Sequence, residues 1–211
     1  MLTVISATPS PFARKVRIAL IEKAIPFKLV TDVPWNQDTV VGQFNPLEKL
    51  PILLTETDGA IYDSSLILEY IELTFPDPPL VPADPKLRVA AKSIEVLQNG
   101  ICDAVVLTFF ERARPAGSQS GEWLSRQRRK IEGGVAELAR LLGDKEYFVS
   151  GRFTLADIAA GSALGYISLR LADFDWRARH ANLARYFDAL SQRPSFCDTI
   201  PVAQNITTTV A

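Results

Sequence analysis

The first part of the chain consists of short segments whose hydrophobic patterns alternate between those of strands and those of helices. Leu2–Ile5 and Phe27–Thr31 are β-prone runs, and residues 11–24 lie between them. In that stretch the apolar positions recur at helical spacing and most charged positions fall outside them, which predicts an amphipathic helix. The apolar positions are Phe12, Val16, Ala19 and Leu20, and the charged ones are Arg14, Lys15, Arg17, Glu22 and Lys23. A helix flanked by two strands predicts a βαβ unit with a parallel strand pair.

A hairpin and a second helix are predicted further along, after a short helix near Asp38–Phe44. Ile52–Thr55 and Ala60–Tyr62 are β-prone, and they are joined by Asp58-Gly59, a strong signal for a tight hairpin turn. Residues 63–74 then predict a helix. The apolar face of that helix is Leu66, Ile67, Tyr70 and Ile71.

A proline cluster divides the chain. Five of the eleven residues in 75–85 are proline, which excludes a regular helix or a central strand there. We therefore expect a domain at residues 1–75, a proline-rich linker at 76–85 and a second domain at 86–211.

Only helical patterns follow the linker, which predicts an all-helical second domain. Residues 86–112 and 120–143 carry apolar positions at alternating three- and four-residue steps, as helices of a bundle do. These positions are Leu87, Ala90, Ile94, Leu97, Ile101, Ala104 and Thr108, followed by Leu124, Ile131, Val135, Leu138 and Leu142. Each residue of Gly133-Gly134 costs about 1 kcal/mol of helix propensity, so we expect close packing there. Residues 180–193 predict a further helix, and the polar residues 202–211 are expected to fray.

Residues 153–158, FTLADI, predict a helix start. Thr154 is the expected N-cap, and Asp157 is placed to reach back to its N–H in a capping box. Phe153 and Ile158 occupy the positions of a hydrophobic staple. We therefore assign Asp157 a structural role rather than that of a catalytic acid.

Composition narrows the function classes. The 211 residues carry 23 Lys+Arg and 24 Asp+Glu, a net charge of −1, which disfavours a nucleic-acid partner. One histidine and two cysteines leave no material for a His-rich zinc site, a Cys₄ cluster or a disulfide framework, so no metal is expected. Cys102 and Cys197 are expected to be ordinary thiols, and the single histidine, His180, is assigned no role.

The N-terminal sequence predicts a cytoplasmic protein with no membrane association. MLTVISATPSPFARK has no basic segment ahead of an apolar one, unlike a secretory signal. The longest apolar stretch that we identify, Leu155–Leu169, is interrupted by polar residues and falls short of the roughly 20 residues of a membrane span.

The turn between the first strand and the first helix carries the clearest candidate chemistry. Ser10 is a good N-cap and Pro11 a good first helical residue, which alone would explain the sequence Ser10-Pro11-Phe12. A helix N-terminus also favours an anion, because it carries partial positive charge and free N–H donors. A thiolate at that end has its pKa lowered.

The same turn resembles the Cys-Pro-Tyr-Cys motif of glutaredoxins. Ser10 stands where the nucleophilic cysteine would be, and Ala13 where the resolving cysteine would be. A hydroxyl in place of the thiol is the arrangement of serine-type glutathione transferases, and the chain most resembles their bacterial Ser-Pro-Phe members. This resemblance implies an N-terminal thioredoxin-like βαβ-α-ββα domain with a C-terminal helical bundle, the glutathione transferase fold.

Two further segments match that family in the expected order. Residues 45–53, NPLEKLPIL, resemble the family's N-P-x-G-x-V-P-x-L segment, with Glu48 in place of the frequent glycine. The resemblance implies that Pro51 is a cis proline and that the backbone of Leu50 pairs with the cysteinyl part of glutathione. Asp63-Ser64 resembles the family's acidic-Ser pair, and implies that Ser64 holds the γ-glutamyl carboxylate and Asp63 the ammonium group.

The resemblance implies an enzyme, a glutathione transferase that acts in detoxification. Ser10 would stabilise the thiolate of glutathione, a cosubstrate, for attack on an electrophilic, mostly apolar small molecule. The glutathione-binding set is completed by Phe12, Asn36 and Lys49, and the second-substrate pocket would include Trp35, Phe109 and Arg112. The family is usually dimeric, so we expect a homodimer.

Two alternatives remain open. The same site fits a glutathione-dependent disulfide reductase, isomerase or dehalogenase, although positions 10 and 13 lack the thiols for self-contained exchange. A non-enzymatic protein that uses the transferase fold for interaction is the other alternative, and the presence of Pro51, Asp63 and Ser64 argues against it.

Overall fold

The computed structural model describes residues 1–207, which form two compact units. The first contains Met1–Leu80 together with the described chain from Pro194 onward, and the second contains Val81–Arg193. The sequence placed the segment after Pro194 in the helical domain, which the structure corrects. That segment belongs to the first unit because the guanidinium of Arg14 donates to the Phe196 carbonyl oxygen and the Thr199 hydroxyl, both at 3.3 Å.

The first unit is built on a four-stranded sheet with the strand order β2-β1-β3-β4. Its strands are β1 (Leu2–Ser6), β2 (Phe27–Thr31), β3 (Ile52–Leu54) and β4 (Ala60–Ile61). β1 and β2 are parallel, as the βαβ pattern predicts, and the other pairs are antiparallel. Gly59, with φ of +72°, makes the predicted turn between β3 and β4.

Three helices and a short 3₁₀ turn complete this unit. They are α1 (Pro11–Glu22), α2 (Ser64–Thr74) and α8 (Pro194–Cys197), with the 3₁₀ turn at Val41–Gln43. α2 packs on α1 and β3 through Ile67, Leu68 and Ile71. The predicted face of α2 is wrong at Leu66, which is 55% exposed, because the buried face is centred on Ile67 and Ile71.

Two basic side chains on α1 and a third at its C-cap, Lys23, are buried, contrary to the prediction that they lie outside the apolar face. Arg14, Lys15 and Lys23 are at most 6% exposed. Lys23 donates to the carbonyl oxygens of Phe75 and Pro78, both at 2.7 Å, and forms a 3.0 Å ion pair with Glu72. A buried ammonium group is tolerated only when it is paired and hydrogen-bonded. Lys23 thereby fastens the first part of the proline-rich segment to the first unit.

The second unit is all helical. Its helices are α3 (Pro85–Ala113), α4 (Gly121–Leu142), α5 (Leu155–Arg170), α6 (Trp176–Arg179) and α7 (Ala181–Leu190). α3 packs on α4 and α5, and α5 is the most buried helix of the unit, with all residues from Leu155 to Ile167 buried. The predicted seam of α3 is correct at Ile94 and Ile101, whereas Leu87, near its start, is 40% exposed.

The capping box at the start of α5 is confirmed. The Asp157 carboxylate accepts a hydrogen bond from the Thr154 N–H at 2.8 Å, and the Thr154 hydroxyl accepts from the helix backbone. Asp157 is fully buried. Its second oxygen accepts from the Phe148 N–H at 3.0 Å and from the Tyr186 hydroxyl at 2.8 Å, so the same carboxylate also ties α5 to α7.

One helix of residues 1–207 is long and apolar enough to cross a membrane by length and composition, which the sequence analysis did not expect. It is Pro85–Ala113, and 44% of its most apolar window is buried. A central helix of a bundle passes the same test, so this is weak support for a membrane span.

Candidate functional site

Four loops meet at one edge of the sheet in the first unit. β1 and β2 are parallel, so the loops that follow them leave from the same edge. β3 is antiparallel to β1, with Ile52 opposite Ile5, so the residues that precede β3 also lie there. β4 is antiparallel to β3, and the start of α2 follows at the same edge. The register thus brings together the segments that carry Ser10, Asn36, Pro51 and Ser64.

Ser10 is the N-cap of α1, as the sequence predicts. Its Oγ accepts a hydrogen bond from the Ala13 N–H at 3.2 Å, and Pro11 occupies the first turn. A hydroxyl has one donor proton and two acceptor lone pairs, so the cap bond leaves the proton for an anion. Ser10 and Phe12 are half-buried. The position combines a hydroxyl donor with the positive end of a helix dipole.

Asp63 and Ser64 form a second helix N-terminus at this edge. Asp63 is the N-cap of α2, and its Oδ1 accepts from the N–H groups of Ser65 at 2.9 Å and Leu66 at 3.3 Å. Both cap bonds use one carboxylate oxygen, so the other oxygen can accept from an ammonium group. Asp63 is exposed, whereas Ser64 is 2% exposed.

Asn45 holds the turn before β3, a role that the sequence did not predict. Its Nδ2 donates to the Lys49 carbonyl oxygen at 2.8 Å, and its Oδ1 accepts from the Leu47 N–H at 2.9 Å. Asn45 is 2% exposed. The turn leads into Leu50 and Pro51, whose peptide bond is cis, as the resemblance implies. The signal available in the sequence was the Asn-Pro dipeptide, which favours a side-chain-bonded turn.

Glu48 occupies a backbone conformation that suits glycine. Its φ is +52°, in the left-handed region that L residues with a Cβ rarely adopt. The matching segment of the family commonly has glycine at this position. Glu48 replaces that glycine but keeps a backbone conformation that glycine adopts readily. The neighbouring Lys49 has an exposed side chain, Leu50 is half-buried and Pro51 is buried.

Asn36 and Trp35 lie in the loop after β2. Trp35 is 47% exposed and Asn36 is half-buried. The Oδ1 of Asn36 accepts a hydrogen bond from the Thr207 N–H at 2.9 Å. The prediction that residues 202–211 fray is therefore wrong for 202–207, and residues 208–211 lie outside the described part of the chain. No periodicity or motif in the sequence signals this contact.

Phe109 and Arg112, predicted for a second-substrate pocket, lie near the end of α3 in the second unit. Arg112 forms an ion pair with Asp173 at 3.1 Å. The guanidinium of Arg170 lies 4.0 Å from the centre of the Phe109 ring. Trp35, the third predicted member, belongs to the first unit.

Residues 126–130 of α4 include three arginines and a lysine, and one of the arginines, Arg128, forms ion pairs within the second unit. Arg128 pairs with Glu132 at 2.8 Å and with Asp173 at 3.0 Å. Among residues 1–207 no group of three or more His, Cys, Asp or Glu side chains is placed to hold a metal ion. Cys102 is buried and Cys197 is exposed.

Comparison with protein-family models identifies the class of protein to which the chain belongs. A family model described as the N-terminal domain of glutathione S-transferase matches residues 9–74, and one described as the C-terminal domain matches residues 121–189. Together they cover more than half of the chain. The protein belongs to the glutathione S-transferase family, and its mixed four-stranded sheet and helical second unit are the fold of that family.

The individual relatives agree with this assignment. An uncharacterised glutathione S-transferase-like protein of Escherichia coli, YibF, is 38% identical over 200 residues, which are 95% of this chain and 98% of that protein. The structure is similar to that of a glutathione S-transferase from Methylobacterium radiotolerans in complex with glutathione sulfonate, with 61% identity, a TM-score of 0.98 and coverage of 100% and 99% of the two chains. A glutathione S-transferase from Methylobacillus flagellatus with glutathione bound is 36% identical, with a TM-score of 0.92 and coverage of 96% and 100%.

Proposed function

We propose that this protein is a serine-type glutathione transferase that uses Ser10 to stabilise the thiolate of glutathione. The observation that carries the proposal is the geometry of Ser10, whose Oγ accepts the cap bond from the Ala13 N–H and keeps its proton as a donor. Solved relatives hold glutathione or glutathione sulfonate, which supports glutathione as the thiol. Ser10 acts as a hydrogen-bond donor and not as a nucleophile.

The energetic demand on this site is small. A free thiol has a pKa of about 8.5, and lowering it by one unit requires about 1.4 kcal/mol of preference for the thiolate. A charge-assisted hydrogen bond together with the positive end of a helix dipole can supply that amount. The thiolate then attacks an electrophilic carbon of an apolar substrate, the leaving group departs with the electron pair of the broken bond, and the thioether product forms.

The two other segments at the same edge fit the remainder of glutathione. The backbone of Leu50, before the cis Pro51, pairs with the cysteinyl unit as an added strand would. Ser64 and the α2 N-terminus bind the γ-glutamyl carboxylate, and Oδ2 of Asp63 accepts from its ammonium group, since both cap bonds of that side chain use Oδ1. Phe12, Asn36 and Lys49 complete the contacts that we assign to glutathione.

The electrophilic substrate binds in a second pocket. We assign Trp35, Phe109 and Arg112 to its pocket by family resemblance. Arg112 already pairs with Asp173, and the Phe109 ring lies against Arg170. The aromatic ring of Phe109 favours an apolar electrophile, as a detoxification enzyme would accept.

Replacement of Ser10 by alanine tests the thiolate role. In the Ser10→Ala variant we expect the pKa of bound glutathione, followed by the ultraviolet absorbance of the thiolate, to rise by about one unit. Ser120→Ala is the matched control, because Ser120 caps α4 with a bond of the same 3.2 Å length from the Trp123 N–H. Both variants should lose about 1 kcal/mol of stability. An unchanged thiol pKa in Ser10→Ala would reduce Ser10 to a helix cap.

Two assays separate the alternatives. Turnover of a chloronitrobenzene against hydroxyethyl disulfide distinguishes conjugation from disulfide reduction. Retention on immobilised glutathione distinguishes both from a non-enzymatic interaction protein, which has no need of the glutathione site.

We also propose a homodimer formed by one face of α3. Exposed residues recur along it at alternating four- and three-residue steps, the spacing of a helix that packs against another helix. These positions are Val89, Ser93, Val96, Gly100, Asp103 and Leu107. Val89 is 66% and Val96 is 70% exposed. A Cβ added at Gly100 would meet nothing within 4 Å, so a neighbouring backbone has room to approach.

A further inference from the structure

The segment 202–207, which the sequence predicts to fray, is bonded to two loops at the candidate glutathione site. It reaches the turn before Ser10, the end of β2 and the loop after β2. The bonds run from Thr8 Oγ1 to the Val202 carbonyl oxygen (3.0 Å), from Gln204 Nε2 to the Asp32 carbonyl oxygen (3.2 Å) and from the Thr207 N–H to Asn36 Oδ1 (2.9 Å).

The last of these bonds fixes the direction of an amide group. A backbone N–H can only donate, so Thr207 requires the oxygen of the Asn36 side chain to face it. The Nδ2 group of Asn36 then points to the opposite side of the amide. The backbone of Asn36 is itself held in a turn, because its N–H donates to the Val33 carbonyl oxygen at 3.0 Å. Both the position and the orientation of the Asn36 donor group are therefore set before any ligand binds.

An NH₂ group can only donate, so it suits a ligand group that accepts hydrogen bonds, and a charged carboxylate accepts them more strongly than a neutral oxygen. Glutathione carries two carboxylates, and the γ-glutamyl one is assigned above to the N-terminus of α2. The glycyl carboxylate is the one that remains for the loop that carries Asn36.

We propose that Thr207 is a positioning residue of the glutathione site. Its backbone N–H orients Asn36 so that Nδ2 donates to the glycyl carboxylate of glutathione. This inference rests on the proposed function, and it assigns the segment 202–207, outside the thioredoxin-like sequence, to glutathione binding.

The test compares two peptides and two substitutions. Thr207→Pro removes the N–H donor, whereas Thr207→Ala keeps it and serves as the matched control. Binding of glutathione and of γ-glutamylcysteine, which lacks the glycyl residue, is measured by calorimetry. We expect Thr207→Pro to weaken glutathione binding by about tenfold, the effect of losing a hydrogen bond to a charged group. Binding of γ-glutamylcysteine should not change, and Thr207→Ala should match the wild type for both peptides.

A second pair of variants avoids the backbone restriction that proline imposes. A chain ending at Thr207 keeps the N–H, and a chain ending at Ile206 lacks it, while both end in a free carboxylate. Only the chain ending at Ile206 should lose glutathione affinity. In an Asn36→Ala background this second truncation should have no further effect, because the group that it positions is gone.

Each outcome decides between the claims. Equal glutathione affinity in Thr207→Pro and Thr207→Ala, or equal weakening for both peptides, overturns the role of Thr207 and leaves the proposed function standing. A wild-type chain that binds neither peptide overturns the proposed function and the positioning role together. Loss of glutathione affinity alone, in the proline variant and the shorter truncation, supports both.

Discussion

The side chain of Asn45 closes the turn before Pro51, donating from Nδ2 to the carbonyl oxygen of Lys49 at 2.8 Å. Its Oδ1 accepts from the Leu47 N–H, so one buried amide satisfies both a donor and an acceptor of the backbone. The backbone of Leu50, which we assign to the cysteinyl unit of glutathione, follows this turn directly. Asn45 therefore couples the stability of the first unit to the geometry of its binding edge.

We expect Asn45→Ala to lower the free energy of unfolding by about 2 kcal/mol, since it removes two hydrogen bonds from buried groups. It should also raise KM for glutathione more than it lowers kcat, because the Leu50 backbone is displaced. Asn182→Ala is the control, since Asn182 also bonds two backbone groups, the carbonyl oxygens of Ala139 and Gly143 in the second unit. A KM increase of the same size in that control would attribute the effect to general destabilisation. Chemical denaturation and steady-state kinetics provide both readouts.

Asp157 gives a pH-dependent prediction. Burial raises the pKa of its carboxyl, and hydrogen bonds from Phe148, Tyr186 and Thr154 oppose the shift only in part. A carboxyl whose folded pKa is raised contributes stability that is fully present below its unfolded pKa of about 3.9 and is lost as pH rises through the folded pKa. The stability advantage of the wild type over Asp157→Asn should therefore shrink as pH rises from about 4 towards neutrality.

The same variant should be less stable than the wild type at every pH in that range. The NH₂ group of the asparagine would face two hydrogen-bond donors in either orientation of the amide. In one orientation these are the Phe148 N–H and the Tyr186 hydroxyl, and in the other they are the N–H and hydroxyl of Thr154. The expected loss is about 2–3 kcal/mol. Tyr186→Phe removes one of these bonds without adding a donor and should cost about 1 kcal/mol. A difference between Asp157→Asn and the wild type that stays constant with pH would contradict the raised pKa.

The sequence predicted the strands, the main helices and three loops of the candidate site, because these depend on local signals. Apolar periodicity located α1, and the Asp58-Gly59 turn located the β3–β4 hairpin. Capping residues located Ser10, Asp63 and Thr154 correctly as helix starts. Each of these signals involves residues that are near one another in the chain.

Contacts between distant residues were not predictable in this way. Lys23 is charged and follows charged Glu22 in the sequence, which predicts an exposed side chain. It is buried because two carbonyl oxygens and the carboxylate of Glu72 lie within hydrogen-bonding distance of its ammonium group in the fold. Thr207 meets Asn36 across 171 positions of sequence. The turn at Asn45 was predictable in part, because its hydrogen bonds join residues close in sequence and the Asn-Pro dipeptide favours such a turn. The sequence did not show which backbone groups the side chain would bind.

The proposed dimer face predicts a change in oligomeric state. Val96→Glu places a charge in the middle of the exposed stripe on α3 and should convert a dimer to a monomer in light scattering. Leu73→Glu, on α2 of the first unit, changes a residue of similar exposure, 73% against 70% for Val96, and should leave the dimer intact. Dissociation by Leu73→Glu alone would move the interface to the first unit, and a wild-type chain that is monomeric would overturn the dimer proposal.

The glycine pair of α4 offers two adjacent positions with opposite expected outcomes. A Cβ added at Gly134 would overlap Cγ1 of Ile101 on α3, whereas one added at Gly133 would meet nothing within 4 Å. Close packing, which the sequence suggested for the pair, is thus confirmed for Gly134 alone. Both residues lie inside the helix, so both carry the same intrinsic cost of about 1 kcal/mol relative to alanine.

Gly133→Ala should therefore raise the free energy of unfolding by up to about 1 kcal/mol, because the helix gains propensity and nothing is displaced. Gly134→Ala should lower it by about 1–3 kcal/mol, because Ile101 is at most 1% exposed and cannot move without disturbing the core. Ile101→Val in the Gly134→Ala background removes a methyl group beside the new Cβ and should recover part of the loss. Thermal and urea unfolding measure all three variants. Equal effects at positions 133 and 134 would contradict the close approach of α3 and α4 at Gly134.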